Sequence, residues 1–134
     1  MRAGVLAAAL LLPAVAAAQD CSPVLPGGTQ LESARYSLGY RAVPGKPAVG
    51  KHFSLEIAVC PKPGTAAPES VRVDAHMPEH RHGMNYRTRV TQDGPGRFHV
   101  SGLLFHMPGR WEVLFGFSSP AGTTDRATAT IELE

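Results

Sequence analysis

The chemistry in this chain is concentrated in nine residues, His76-Met77-Pro78-Glu79-His80-Arg81-His82-Gly83-Met84, which hold three histidines and two methionines. A second pair, His106-Met107, also runs into a proline, as His-Met-Pro-Gly. Imidazole nitrogen and thioether sulfur together suit copper, above all Cu(I), better than they suit zinc, magnesium or calcium. Thioethers bind without losing a proton, whereas an imidazole binds only when neutral, so protons compete with metal at the histidines alone. His80 and His82 are two apart, so on an extended segment they share a face that Met84 continues. If that His-x-His-x-Met row curls, it presents three donors to one ion. The adjacent corner supplies the fourth, from His106 or Met107. The expected ligand set is His80, His82, Met84 and His106, with Met77, Met107 and His76 in reserve.

Each of these residues also has a plain structural use. Met77 lies on the apolar phase of its strand, where a methionine fills core space. Met107 is out of phase with Phe98 and Val100 but shares a face with Phe105, which leaves packing and ligation equally open. His76 falls on the polar phase, as a ligand or a solvated side chain. His52 and His99 stand alone in strands and are read as structural or exposed. Glu79 is placed to accept an N–H from a ligating imidazole, or else is a solvated acid. Trp111 either walls the site or packs the core, as tryptophan does in many sandwiches. For the cluster as a whole, the plain alternative is a hydrated loop with surface histidines and methionines plugging the core.

The elements that must position these residues are strands. Glycine and proline recur at roughly 8–12-residue spacing, and no helical apolar stripe survives between them. Tyr36, Leu38 and Tyr40 alternate with polar or small neighbours. Phe53, Leu55, Ile57 and Val59 alternate with Ser54, Glu56, Ala58 and Cys60. Val71, Val73, Ala75 and Met77 form the strand that delivers the first corner, stopped by Pro78, which cannot donate to a ladder. Tyr86, Thr88 and Val90 predict another strand. The next predicts Phe98, Val100, Gly102, Leu104 and His106 on one side and His99, Ser101, Leu103, Phe105 and Met107 on the other. Trp111, Val113, Phe115 and Phe117 follow, and Ala127, Ala129, Ile131 and Leu133 close the chain. About seven short strands of this kind predict an all-β, immunoglobulin-like antiparallel sandwich. A small closed barrel is the other architecture. Phe53, Phe98, Trp111 and Phe115 are the expected inward aromatics.

Residues 1–18 read as a signal peptide: Arg2, a short apolar run from Val5 to Leu12, then Ala14-Val15-Ala16-Ala17-Ala18. That run is too short to span a bilayer. Residues 19–134 are then one exported, periplasmic domain without stable membrane insertion. In an oxidising compartment, the even pair Cys21 and Cys60 reads as a disulfide, closing a loop of roughly 40 residues and contributing on the order of 4 kcal/mol. Two free buried thiols are the alternative. The net charge of +2 is spread with no Lys/Arg run, so nothing calls for nucleic acid or an anionic membrane.

Met77-Pro78-Glu79-His80 with His82-Gly83-Met84, followed by Gly102-Leu103-Leu104-Phe105-His106-Met107-Pro108-Gly109-Arg110-Trp111-Glu112, resembles the YtkA-like domain family. These are small exported immunoglobulin-like modules related by pattern to FixH-type proteins. The match runs over Lys51 to Leu133. The resemblance implies a β-sandwich, an extracytoplasmic setting and copper handling. The His-rich form of the corner here strengthens the metal reading.

Three function classes follow. The first is a Cu(I) carrier, buffer or metallochaperone. The second is an assembly or interaction module serving a membrane-bound oxidase, a periplasmic cuproprotein or a cytochrome. The third is a small-molecule binding domain. No Ser-His-Asp order, free cysteine or paired acids argue for an enzyme.

Overall fold

Each alternating run becomes a strand, and the strands fall into two layers. The computed structural model describes residues 20–134; the signal peptide read at residues 1–18 lies outside them. Nine strands follow in order: β1 (Thr29–Glu32), β2 (Tyr36–Val43), β3 (His52–Pro61), β4 (Ser70–Met77), β5 (His82–Gly83), β6 (Arg89–Gly94), β7 (Arg97–Leu104), β8 (Gly109–Ser118) and β9 (Thr124–Leu133). They build two antiparallel sheets, ordered β1-β2-β3-β7-β6 and β5-β4-β8-β9. Among the described residues there is no helix, and the sheets face one another as the expected immunoglobulin-like sandwich.

The core lies between the layers. Tyr36 and Tyr40 of β2 meet Phe117 and Phe115 of β8, with ring centres 5.0 and 5.4 Å apart. Phe53 meets Phe105 edge-on at 4.9 Å, and Phe105 stacks on Trp111 at 4.5 Å. Phe53, Phe98, Trp111 and Phe115 are all buried, as their alternation required. Ala58 and Cys60 are buried as well, although they sit on the outer phase of β3. The chain before β1 covers them. The Cys21–Cys60 disulfide forms, and the segment after Cys21 presses so close to β2 that a Cβ on Gly39 would lie 1.8 Å from the Pro23 carbonyl oxygen.

Three features differ from the strand pattern. β1 and the two-residue β5 raise the number of strands to nine, because short polar strands carry no apolar rhythm. The strand expected from Tyr86 begins only at Arg89; before it the chain crosses between sheets, with Thr88 Oγ1 donating to the Val73 carbonyl. In β7 the alternation changes phase. Leu55 pairs with Val100 but Phe53 pairs with Leu103, leaving one extra residue on β7. Gly102 supplies the bulge, at φ +86, and a Cβ there would sit 2.5 Å from the Arg87 carbonyl oxygen. Leu103 and Phe105 therefore enter the core. Leu104 is covered on its other side, where Gly50 N–H donates to the Phe105 carbonyl.

Acid should loosen this fold through two carboxylates, Asp125 and Glu32. Asp125 accepts the Arg35 N–H at 2.8 Å on Oδ2 and the Arg126 N–H at 2.8 Å on Oδ1. Burial pushes its pKa up, but hydrogen bonds from Ser33, Arg35 and Arg126, with the Arg35 charge, outweigh that and hold it below the ordinary value. Glu32 is lowered too, by the hydrogen bonds from Lys62 and Ser37. A depressed carboxylate contributes stability above its unfolded pKa and loses it as pH falls through the lower folded value. The melting temperature should thus fall below about pH 4. Asp125→Asn should flatten that acid limb in thermal melts; an unchanged limb would remove Asp125 from the explanation.

Candidate metal centre

The first corner is a tight hairpin. β4 and β5 pair as His76↔Gly83 and Met77↔His82, and Met84 N–H continues the ladder to the Ala75 carbonyl at 3.3 Å. Residues 78–81 make the turn, closed by the His80 N–H on the Met77 carbonyl at 3.3 Å. His80 and His82 thus do not form one extended row: His80 is exposed on the turn, whereas His82 lies half-buried in a strand. His82 and Met84 do share a face. Directly opposed residues also share a face, so His82 points to the side of buried Met77.

The residue that bends the corner is Arg81, at φ 54, and not Gly83, which stays in the ladder. A left-handed φ on a residue with a Cβ costs about 1 kcal/mol. Arg81→Gly should then raise the unfolding free energy by about 0.5–1 kcal/mol in denaturant titration. A loss of stability would show that the arginine side chain outweighs its backbone strain.

The second corner joins β7 to β8. Its backbone is held by the Trp111 indole N–H, which donates to the Met107 carbonyl at 3.0 Å. Gly109, at φ +120, passes directly over Met77: a Cβ there would lie 2.8 Å from Met77 Cε. Met77 is accordingly a core side chain beneath Gly109, while Met107 and Met84 are half-buried against the core.

Topology brings the corners together. β4 ends where β8 begins, with His76 paired to Glu112, and β7 runs in the facing sheet to the same end. The His82 and His106 rings lie 5.0 Å apart at a 33° tilt, and His80 lies 5.8 Å from His82. Fully buried Trp111 forms the floor, with its ring edge-on to His82 at 5.9 Å and to His106 at 5.4 Å. His106 Nδ1 is buried and has no hydrogen-bond partner. A buried polar nitrogen left unpaired costs roughly 1–3 kcal/mol. His82 Nδ1 lies 3.1 Å from the Gly83 carbonyl oxygen. In the tautomer whose proton sits on Nδ1 and donates to that carbonyl, Nε2 carries a free lone pair.

With a metal–nitrogen bond of about 2 Å, two imidazoles meeting an ion near the tetrahedral angle have ring centres about 5 Å apart, the spacing of His82 and His106. Among the described residues no three His, Cys, Asp or Glu side chains converge as a ready-made metal group. The cluster is a two-imidazole pair with a third histidine at its rim, and Met84 and Met107 are the half-buried thioethers next to the two corners in sequence. That composition suits Cu(I).

His76 and Glu79 are engaged away from the imidazole pair. His76 points to the outer sheet face, with Nε2 3.2 Å from Glu112 Oε2. Glu79 pairs with Arg110 Nε at 3.7 Å, a tie between the two corners that the sequence did not signal. Met84 also borders an open outer groove with Arg72, Tyr86 and Arg87. His52 packs edge-on against exposed Tyr86 at 4.9 Å. No family model, curated protein or solved structure matches this chain.

Proposed function

We propose that the domain is an exported, periplasmic protein that carries or buffers one Cu(I) ion at the joined His-Met-Pro corners. The observation that carries this reading is His106 Nδ1, a buried nitrogen without a partner, on a ring 5.0 Å from that of His82. His106 and His82 would supply the nitrogen donors, and Met84 and Met107 the thioethers. Half-exposed His82 and exposed His80 leave a route for exchange with a recipient, which we take to be a membrane-bound or periplasmic cuproprotein or cytochrome. The disulfide accords with an oxidising compartment.

Trp111 and Phe105, stacked at 4.5 Å and fully buried, supply an apolar floor beneath the two imidazoles. The test is an anaerobic titration of the protein against a chromophoric Cu(I) chelator. One ion per chain should be withdrawn from the chelator, with Zn(II) competing poorly. No withdrawal, or tighter binding of Zn(II), would overturn the proposal.

A further inference from the structure

Of the four sheet edges that the described residues form, one is long and regular and has no strand laddered to it, although the β1–β2 turn reaches its start, where Arg35 N–H donates to Asp125. β1 has 4 residues and β5 has 2. β6 has 6, its register breaks between Gln92 and Gly94, and Pro95 follows. β9 has 10 residues and pairs with β8 without a shift, from Gly109↔Leu133 to Ser118↔Thr124. It lacks the proline, bulge, lysine or brevity that usually blunts an edge.

The direction of its free backbone groups follows from its ends. Ser119 N–H donates to the Thr123 carbonyl, in the same register, at 2.9 Å. Odd-numbered residues of β9 are therefore the ones bonded to β8. The N–H of even-numbered Arg126 finds only the neighbouring Asp125 side chain, at 2.8 Å. Arg126, Thr128, Thr130 and Glu132 turn their N–H and C=O groups outward along the edge, and their side chains are exposed.

We propose that this edge is an interface with a second copy of the chain, β9 pairing antiparallel with β9 about a two-fold axis at Ala129. In that register Arg126 faces Glu132 of the second copy, and Thr128 faces Thr130. Every one of these pairs is even with even, so both residues offer free backbone groups to each other. The Arg–Glu pair occurs twice, once at each end, and a Thr–Thr pair lies inside each. On the inner phase Ala127 faces Ile131 of the second copy, and Ile131 is only half-buried in one chain. Sliding the register by two residues one way sets Arg126 against Thr130 and loses both ion pairs; sliding it the other way sets Arg126 against Glu134, one residue beyond the strand. Such an interface is isologous and closes at two subunits, joining two four-stranded sheets into one of eight. The His corners lie at opposite ends of that joined sheet, so pairing leaves them open. The inference is independent of what the corners bind.

Sedimentation equilibrium of the mature protein tests it, with Arg126→Glu, Glu132→Arg and the double reversal compared with the parent. The parent should show a reversible monomer–dimer equilibrium. Each single reversal replaces two attractive cross-strand pairs with two repulsive ones and should raise the dimer dissociation constant about tenfold or more. The double reversal restores the pairs with exchanged signs and should recover dimerisation. Circular dichroism melts of the exposed-site variants check that each chain is folded. A parent that is monomeric throughout, single reversals without effect, or a double reversal that does not recover would each overturn the proposal.

Discussion

Replacing His82 and His106 together by alanine should weaken Cu(I) binding by roughly a hundredfold or more while leaving the sandwich folded. Losing even an outer partner of a metal ligand costs about 10–100-fold in affinity, and here both nitrogen donors of the cluster are removed. The fold should tolerate the change because neither imidazole is part of the buried apolar set. Truncating His106 also removes a buried nitrogen that has no hydrogen-bond partner, which offsets the lost contact with Trp111. Stability should therefore change by about 1 kcal/mol or less, read by denaturant titration. His76→Ala serves as the contrast. Its imidazole is engaged with Glu112 on the outer face, so Cu(I) affinity should stay within about threefold of the parent by the arithmetic of weak exposed pairs. Equal losses from both variants would place the ion elsewhere.

Removing the Cys21–Cys60 bond should have the largest effect on stability and almost none on the metal. The bond spans a sequence separation of 39, which corresponds to about 4 kcal/mol of chain entropy withheld from the unfolded state. For a domain of this size that is a fall of about 15 °C in melting temperature. The loss should appear after reduction or in a Cys21→Ser, Cys60→Ser double variant. Cys60 lies at the end of β3 far from His52, and β3 runs antiparallel to β7, so the bond is remote from the corners. A drop of only a degree or two would mean that the covering segment holds itself in place through packing on Gly39. A drop accompanied by lost Cu(I) affinity would mean that the two ends of the sandwich are coupled.

How much was legible in the residues depended on whether the information was local. β3, β4 and β8 announced themselves because each carries an unbroken alternation of large apolar and polar side chains on a half-buried sheet. β7 did not, because Leu103 and Leu104 are both apolar. Periodicity alone cannot tell which of them faces inward; Gly102 decides it by adding a residue to the strand. β1 and β5 were invisible for want of any apolar rhythm. The hairpin's bend sits at Arg81, a residue whose type gives no turn signal, held there by the pairing of Met77 with His82. Histidine and methionine types suggested copper, the reading proposed above. Their meeting depends on β4 and β7 ending together in facing sheets, which only the strand order settles. The same order sends His76 outward to Glu112 and buries Met77 under Gly109. It also exposes the β9 edge, whose pattern of Arg126, Thr128, Thr130 and Glu132 reads as an ordinary polar face until the neighbouring strand is known.

The central claim is that imidazole and thioether from both corners hold one Cu(I) ion, and its most direct test is the X-ray absorption spectrum at the copper edge. The spectrum should be taken on protein loaded anaerobically with one equivalent of Cu(I). The edge should be typical of Cu(I) and the first shell should contain both nitrogen and sulfur scatterers, with imidazole outer-shell scattering that is lost in the His82→Ala, His106→Ala variant. A first shell of nitrogen and oxygen alone, or one unchanged by that double substitution, would contradict it.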